Sequence, residues 1–237
     1  MVYKKISHFL SGFPAARLTL CLLCGNHSDG NGICPPCAAE LPWLQRACRH
    51  CALPLPAPAE VSGICARCLQ QAPTFSTARA AWLYAFPIGQ LVQRFKYRGD
   101  LAAGHSLAQL AAGPLRPTTD KAPDLLAPIP LHWRRYWQRG FNQSQLIAAE
   151  LGRQWHLPVH ARLLRRVVAR EAQLRLKRSQ RLRNPEHSFA VCSPVEGRHI
   201  GLVDDVITTG ATLEAAARAL IAAGAAWVSA YALARTP

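Results

Sequence analysis

The sequence predicts an α/β protein: a central, mostly parallel sheet flanked by helices, preceded by a small metal-binding module. Three observations lead there. Four Cys-x-x-Cys pairs are packed between residues 21 and 68. Beyond about residue 75, short apolar runs alternate with segments of helical period, the pattern of parallel strands joined by crossover helices. One of those strands runs into two carboxylates and a Thr/Gly turn, Ile200-Gly-Leu-Val-Asp-Asp-Val-Ile-Thr-Thr-Gly-Ala-Thr212, before the next helix begins.

The bulk numbers fit this division. A chain of 237 residues has room for one ordinary domain plus a small one, and with half its residues hydrophobic it can build a core. Lys and Arg total 28 against 13 Asp and Glu, a formal charge of +15. Such an excess favours polyanionic partners: nucleic acid, phosphorylated metabolites or an anionic membrane surface. No run reaches the roughly 18 uncharged apolar residues of a membrane-spanning helix. The basic and apolar start is broken by His8, Ser11, Gly12 and Pro14, which suits a tail over residues 1–17 better than a signal peptide. The expected location is therefore the cytoplasm, where nine cysteines call for an explanation in the reduced state.

Residues 18–75 form the cysteine-rich module. Cys21 and Cys24, Cys34 and Cys37, Cys48 and Cys51, and Cys65 and Cys68 each place two thiolates on one knuckle, the spacing that lets both face a tetrahedral ion. Eight sulfurs fill two four-cysteine zinc sites. These leave no open coordination position, so the metals are expected to be structural. Sequential pairing closes loops of nine and thirteen residues (Cys24 to Cys34, Cys51 to Cys65) and is favoured by closure entropy. An interleaved cross-brace is the other arrangement, and disulfide, redox or iron–sulfur roles are rival uses of the cysteines. His27 and His50 are alternative ligands that eight sulfurs make unnecessary. The module is too small for its own apolar core and would fold around metal. Arg46, Arg49 and Arg67 could add nucleic-acid contacts. Cys192, alone beside Val191, reads as buried and inert.

Residues 76–237 form the main domain. A strand is expected through Ala80–Phe86, then a helix opened by Pro87 and running to about Tyr97. A second helix covers Leu101–Ala112, and Asp124–Ile129 is a short buried strand. Phe141–Trp155 reads as a helix capped by Asn142 or a neighbour. Ile200–Asp204 is a strand, Thr212–Ala223 a helix stopped by Gly224, and Trp227–Ala234 the last strand.

The turn after Ile200–Asp204 carries the sharpest chemical signal. Free amides at a helix N-terminus cradle an anion, Gly210 allows close backbone approach, and Thr208, Thr209 and Thr212 add hydroxyls. The adjacent acids Asp204 and Asp205 would repel a phosphate. They suit sugar hydroxyls or a bound cation, and at a buried strand end they need a partner. Earlier in the chain, Ile129-Pro-Leu-His132 offers turn amides, and Arg135 and Arg139 stand one helical turn apart, able to clamp an anion together. Lys96 lies on the first helix of the domain and could reach a phosphate.

The acid-acid-(x)2-Thr-Thr-Gly-x-Thr run resembles the fingerprint of type I phosphoribosyltransferases. More of the chain is similar to the ComF family of competence-associated phosphoribosyltransferase-like proteins, including its GntX-like members. That resemblance runs from Cys21 to the end. It rests on the cysteine module, Phe95-Lys-Tyr-Arg-Gly-Asp100, Pro130-Leu-His-Trp-Arg-Arg135, Arg139-Gly-Phe-Asn-Gln-Ser144, Gln173 to Leu176, Arg181, Asn184, Phe189 and the fingerprint. It implies a type I phosphoribosyltransferase fold behind a double zinc ribbon. It also implies phosphoribosyl pyrophosphate with magnesium as ligand, held by Asp204 and Asp205 at the ribose, by Thr208, Thr209, Gly210, Ala211 and Thr212 at the 5′-phosphate, and by Lys96, Pro130, Leu131, Arg135 and Arg139 around the pyrophosphate. In keeping with the superfamily, a cis peptide is expected in the 129–132 turn. The basic stretch at about 162–190 would be the flexible hood over the site; the alternative, read from its charge, is a surface that contacts nucleic acid through Arg175, Lys177 and Arg178. Two functional classes follow from the resemblance: a phosphoribosyltransferase of unknown acceptor, or a non-catalytic competence factor in DNA uptake that uses the pocket as a sensor and engages single-stranded DNA or a DNA-translocating ATPase.

Overall fold

The computed structural model describes residues 18–56, 63–117, 122–167 and 189–237. Arg175, Lys177 and Arg178, the tail and most of the basic stretch lie outside the described residues. The chain divides into two compact units after Glu40. In the first unit, β1 (Leu18–Leu20) and β2 (His27–Gly30) pair antiparallel, and Cys34 caps a five-residue helix, α1 (Pro35–Ala39).

The second unit, Leu41–Pro237, holds the other cysteine cluster and the parallel sheet. Cys65 caps α2 (Ala66–Gln70), which leads to β3 (Thr77–Leu83), α3 (Ile88–Arg98), α4 (Leu101–Leu115) and β4 (Leu125–Pro128). There follow α5 (Trp133–Arg139), α6 (Gln143–Trp155) and the antiparallel pair β5 (Leu164–Arg166) and β6 (Phe189–Val191). The chain ends in β7 (His199–Ile207), α7 (Ala211–Ala222) and β8 (Trp227–Arg235). The sheet order is β3-β8-β7-β4, all parallel.

Alternation along β8 shows how both faces are covered. Ala230 and Ala232 pack in one cluster with Leu213, Ala216, Ala217 and Leu220 of α7. Tyr231, between them, turns to the other face, where its ring meets Trp155 of α6 at 5.1 Å. A strand covered on both faces is apolar along most of its length, here all but Ser229 and Arg235, and only Trp227 of β8 is exposed. The expected sheet flanked by helices is present, and among the described residues no helix is long and apolar enough to cross a membrane.

Four local expectations need correction. The first strand of the sheet lies at Thr77–Leu83, three residues earlier than its apolar run suggests, because Tyr84 to Pro87 form the turn into α3. The described cis peptide is Phe86–Pro87, and the 129–132 turn is trans. Cys192 is exposed: it lies one residue beyond β6, its amide bonded to Leu163 O and its side chain facing out. Helix α4 also runs on through Gly113 and Pro114 to Leu115, three residues past the expected Ala112. Asn142 caps α6 as expected, its Oδ1 accepting from Ser144 N at 3.1 Å.

Candidate functional site: an acid pair and a Thr/Gly turn at the end of β7

Strand β7 delivers the acid pair. Asp204 is half-buried and Asp205 buried. Each has a dedicated partner. Lys96 Nζ on α3 lies 2.8 Å from Asp205 Oδ1. Ser144 Oγ, in the first turn of α6, donates to Asp204 Oδ1 at 3.0 Å, and the Asp205 amide donates to the same oxygen at 2.9 Å. Loss of solvation, then the neighbouring Asp205 charge, push Asp204 up to about 7 despite those donors and Lys96. A cation or a pair of hydroxyls at this carboxylate would restore its ionised form.

The turn that follows begins at Thr208, and Gly210 caps α7 at φ +80°, a left-handed conformation that glycine adopts without strain. Thr209 Oγ1 accepts from Ala211 N at 3.3 Å. Opposite it, Asn142 Nδ2 holds Ile129 O at 3.0 Å and Arg166 Nε holds Pro130 O at 3.0 Å, fixing the turn after β4. Arg139 on α5 donates to Gln143 Oε1 at 3.2 Å and stacks 4.8 Å above the Tyr97 ring.

Lys96, Pro130, Leu131, Arg135, Arg139, Asp204, Asp205, Thr208 and Thr212 line one cleft of about 300 Å³. Thr209, Gly210 and Ala211 line a neighbouring cleft of about 330 Å³ on the side of the turn towards α2. Ser144, to which sequence reasoning assigned no role, and Arg166, expected only as part of the basic hood, also line the first cleft. Burial lowers the Arg166 pKa, Asp204 opposes that shift and Arg135 adds to it, so the cleft holds cations that an anion would relieve. Ser144 stands inside the Asn-Gln-Ser run already singled out, and a buried serine at a helix start is the signal that could have marked it.

The cysteines form two clusters, Cys21, Cys24, Cys34, Cys37 and Cys48, Cys51, Cys65, Cys68, with all sulfurs of a cluster within 4.8 Å of one another. This is the sequential pairing. The Cys24–Cys34 and Cys51–Cys65 sulfurs are each 3.7 Å apart. That matches the edge of about 3.8 Å in a tetrahedron with metal–sulfur bonds of about 2.3 Å, and no disulfide has that length. Burial works against the Cys21 thiolate, but the amides of Cys34, Cys24 and Leu23 outweigh it and bring its pKa to about 6. The amides of Cys65, Cys51 and His50 bring Cys48 to about 7 against the same penalty. Crowding by the Cys24 and Cys34 sulfurs lifts Cys37 to about 12, a repulsion that a divalent cation removes. His50 is not a ligand: its Nδ1 sits 3.0 Å from Ser76 O.

Comparison with known proteins adds the lineage. The chain is 36% identical over 210 residues to the DNA utilization protein YhgH of Escherichia coli, covering 86% of this chain and 91% of that one. It is 31% identical over 224 residues to Competence protein F of Haemophilus influenzae, covering 91% and 96%. The chain belongs to the ComF family. Competence protein ComFC of Bacillus subtilis is 35% identical to this ComF-family chain over 159 residues, 67% of this chain and 64% of that one. A double zinc ribbon domain matches residues 13–74 and spans both cysteine clusters, which are therefore structural zinc sites. Among solved structures, adenine phosphoribosyltransferase from Leishmania tarentolae aligns at 14% identity and TM-score 0.38, covering 70% of this chain and 93% of that one. A purine phosphoribosyltransferase from Pyrococcus horikoshii aligns at 16% and 0.33, covering 54% and 80%.

Proposed function

We propose that this ComF-family chain binds phosphoribosyl pyrophosphate with Mg²⁺ in the cleft at the end of β7, and that displacement of pyrophosphate at the anomeric carbon is the reaction the cleft serves. One observation carries the reading: a carboxylate pair with its own lysine and serine partners faces the same cleft as Thr208 and Thr212, the two ends of the turn, and three arginines. The turn's free amides and the Thr208 and Thr212 hydroxyls take the 5′-phosphate. Asp204 and Asp205 take the ribose hydroxyls. The same carboxylates would hold magnesium, which when bound neutralises pyrophosphate as it leaves. The Pro130-Leu131 turn, Arg135, Arg139 and Arg166 receive the pyrophosphate end. The transition state is an electron-poor sugar, so the protein's work is to orient, neutralise and exclude water. Phosphorus NMR of ribose 5-phosphate titrated with protein tests the turn. The wild type should shift or broaden the resonance, and Thr212→Val should weaken binding roughly tenfold by removing a hydroxyl donor to a dianion. A resonance unmoved by wild-type protein at millimolar ligand would count against it.

A second reading has its own observation. Exposed Tyr97, with Arg98, Arg135 and Arg139, lines an adjoining cleft of about 610 Å³. An aromatic ring set among cations is the surface single-stranded nucleic acid prefers. Relatives named for DNA utilization and competence point the same way, and Arg175, Lys177 and Arg178 would extend the contact. On this reading the chain is a competence factor that handles DNA and senses a ribose phosphate. Affinity for a labelled oligonucleotide should then fall steeply with salt and with Tyr97→Ala, while Asp205→Asn leaves it intact.

A further inference from the structure

Arg235 ends β8 and is only 5% exposed, and its guanidinium donates to carbonyl and hydroxyl oxygens of Cys51, Ile207, Thr208 and Thr236. Its Nε donates to Cys51 O at 3.2 Å. Its Nη1 donates to Ile207 O at 3.3 Å and, at closer range, to Thr208 O. One guanidinium thus joins the backbone of a cysteine knuckle to the carbonyls of the turn after β7. Two more links run in parallel. Arg67, between Cys65 and Cys68, reaches Thr209 O at 3.5 Å. Thr74 donates through its amide and hydroxyl to Glu214, in the first turn of α7, at 2.9 and 2.7 Å.

These contacts have a consequence for the turn's donors. In a trans peptide the C=O and the following N–H point in opposite directions. Holding the carbonyls of Ile207, Thr208 and Thr209 towards the knuckle turns the amides of Thr208, Thr209 and Gly210 away from it. None of those three amides has a hydrogen-bond partner among the described residues. Free amides aimed together from a glycine-containing turn are what an anion cradle requires.

We infer that Arg235 is a positioning residue for this turn, and that through Cys51 it makes the second four-cysteine site a support of the phosphate pocket rather than a separate scaffold. The inference rests on reading Thr208–Thr212 as the phosphate turn, and its test keeps the two apart. Arg235→Gln and Arg235→Lys would be compared with wild type by zinc content, by hydrogen exchange at Ala211 and Glu214, whose amides are bonded to Thr209 Oγ1 and Gly210 O of the turn, and by ribose 5-phosphate affinity.

Arg235→Gln should keep both zincs, speed exchange in the turn at least roughly tenfold relative to the rest of the sheet, and weaken the ligand by a similar factor. Arg235→Lys keeps the charge but cannot span Cys51 and both turn carbonyls at once, so it should fall between the two. Because it retains a buried cation, it also serves if Arg235→Gln does not fold. Faster exchange in the turn, with zinc retained and no ligand bound even by wild type, supports the coupling and overturns only the phosphate reading. Wild-type exchange at Ala211 and Glu214 in a zinc-loaded variant overturns the inference.

Discussion

The Lys96 ammonium stands 2.8 Å from Asp205 Oδ1, with the two side chains 18% and 13% exposed. The last turn of α3 and the end of β7, more than a hundred residues apart in sequence, meet at this pair. It explains how two adjacent acids persist at the end of a buried strand: Asp205 has a cation and Asp204 a hydroxyl.

Removing one partner should therefore cost more than removing both. Lys96→Met leaves a buried carboxylate uncompensated and should lower stability by about 3 kcal/mol. Adding Asp205→Asn should return most of that loss. Urea unfolding of the two single variants and the double variant measures the coupling, and additive losses would contradict it.

The ring of Phe95, fully buried beside Lys96, lies against Gly104 and packs 5.5 Å from Phe141. A methyl group at Gly104 would overlap that ring. Gly104→Ala should destabilise the fold by about 1–3 kcal/mol, as overpacking does, and shift α3 with its lysine. Thermal unfolding reads the first effect and ribose 5-phosphate affinity the second.

Each four-cysteine cluster should hold one zinc. Metal analysis of purified protein should give two per chain, falling to one in Cys24→Ser and in Cys65→Ser. Chelation should unfold the ribbon because its ligands are also its core. Full stoichiometry in either variant would refute the sequential clusters.

Glu214 gives acid sensitivity to the link between Thr74 and α7. Burial disfavours its charge, but the Thr74 hydroxyl and amide and Arg218 outweigh burial and hold its pKa below the ordinary 4.5. The sign follows. A carboxylate lowered in the folded state contributes stability that is fully present above its unfolded pKa and is lost as pH falls through the folded one. Wild type should exceed Glu214→Gln in urea midpoint at pH 7, with the gap closing as pH drops below 4.5. A gap independent of pH would contradict this assignment.

What could be read from sequence was what the chain writes locally. Cysteine spacing, the acid pair and the Thr/Gly turn are contiguous, and the structure places them as two clusters and one strand-to-helix turn. Asn142 was legible for the same reason, as a cap beside its own helix. Arg235, Arg166 and the Thr74–Glu214 contact were not. Each joins segments that only the sheet order brings together, and an arginine at the end of an apolar strand carries no pattern that says it will reach Cys51. The Ala80–Phe86 expectation slipped because an apolar run does not mark where pairing with β8 stops. Cys192 was misread because burial of a residue just past a strand end depends on which way the chain leaves.

The most direct test is calorimetric titration of zinc-loaded protein with phosphoribosyl pyrophosphate and Mg²⁺, run beside Asp205→Asn with its zinc content and unfolding midpoint measured. The account predicts saturable 1:1 binding by wild type and at least a roughly tenfold loss in a folded, zinc-replete Asp205→Asn. Binding that is equal in the two proteins, or absent from wild type at millimolar ligand, would contradict it.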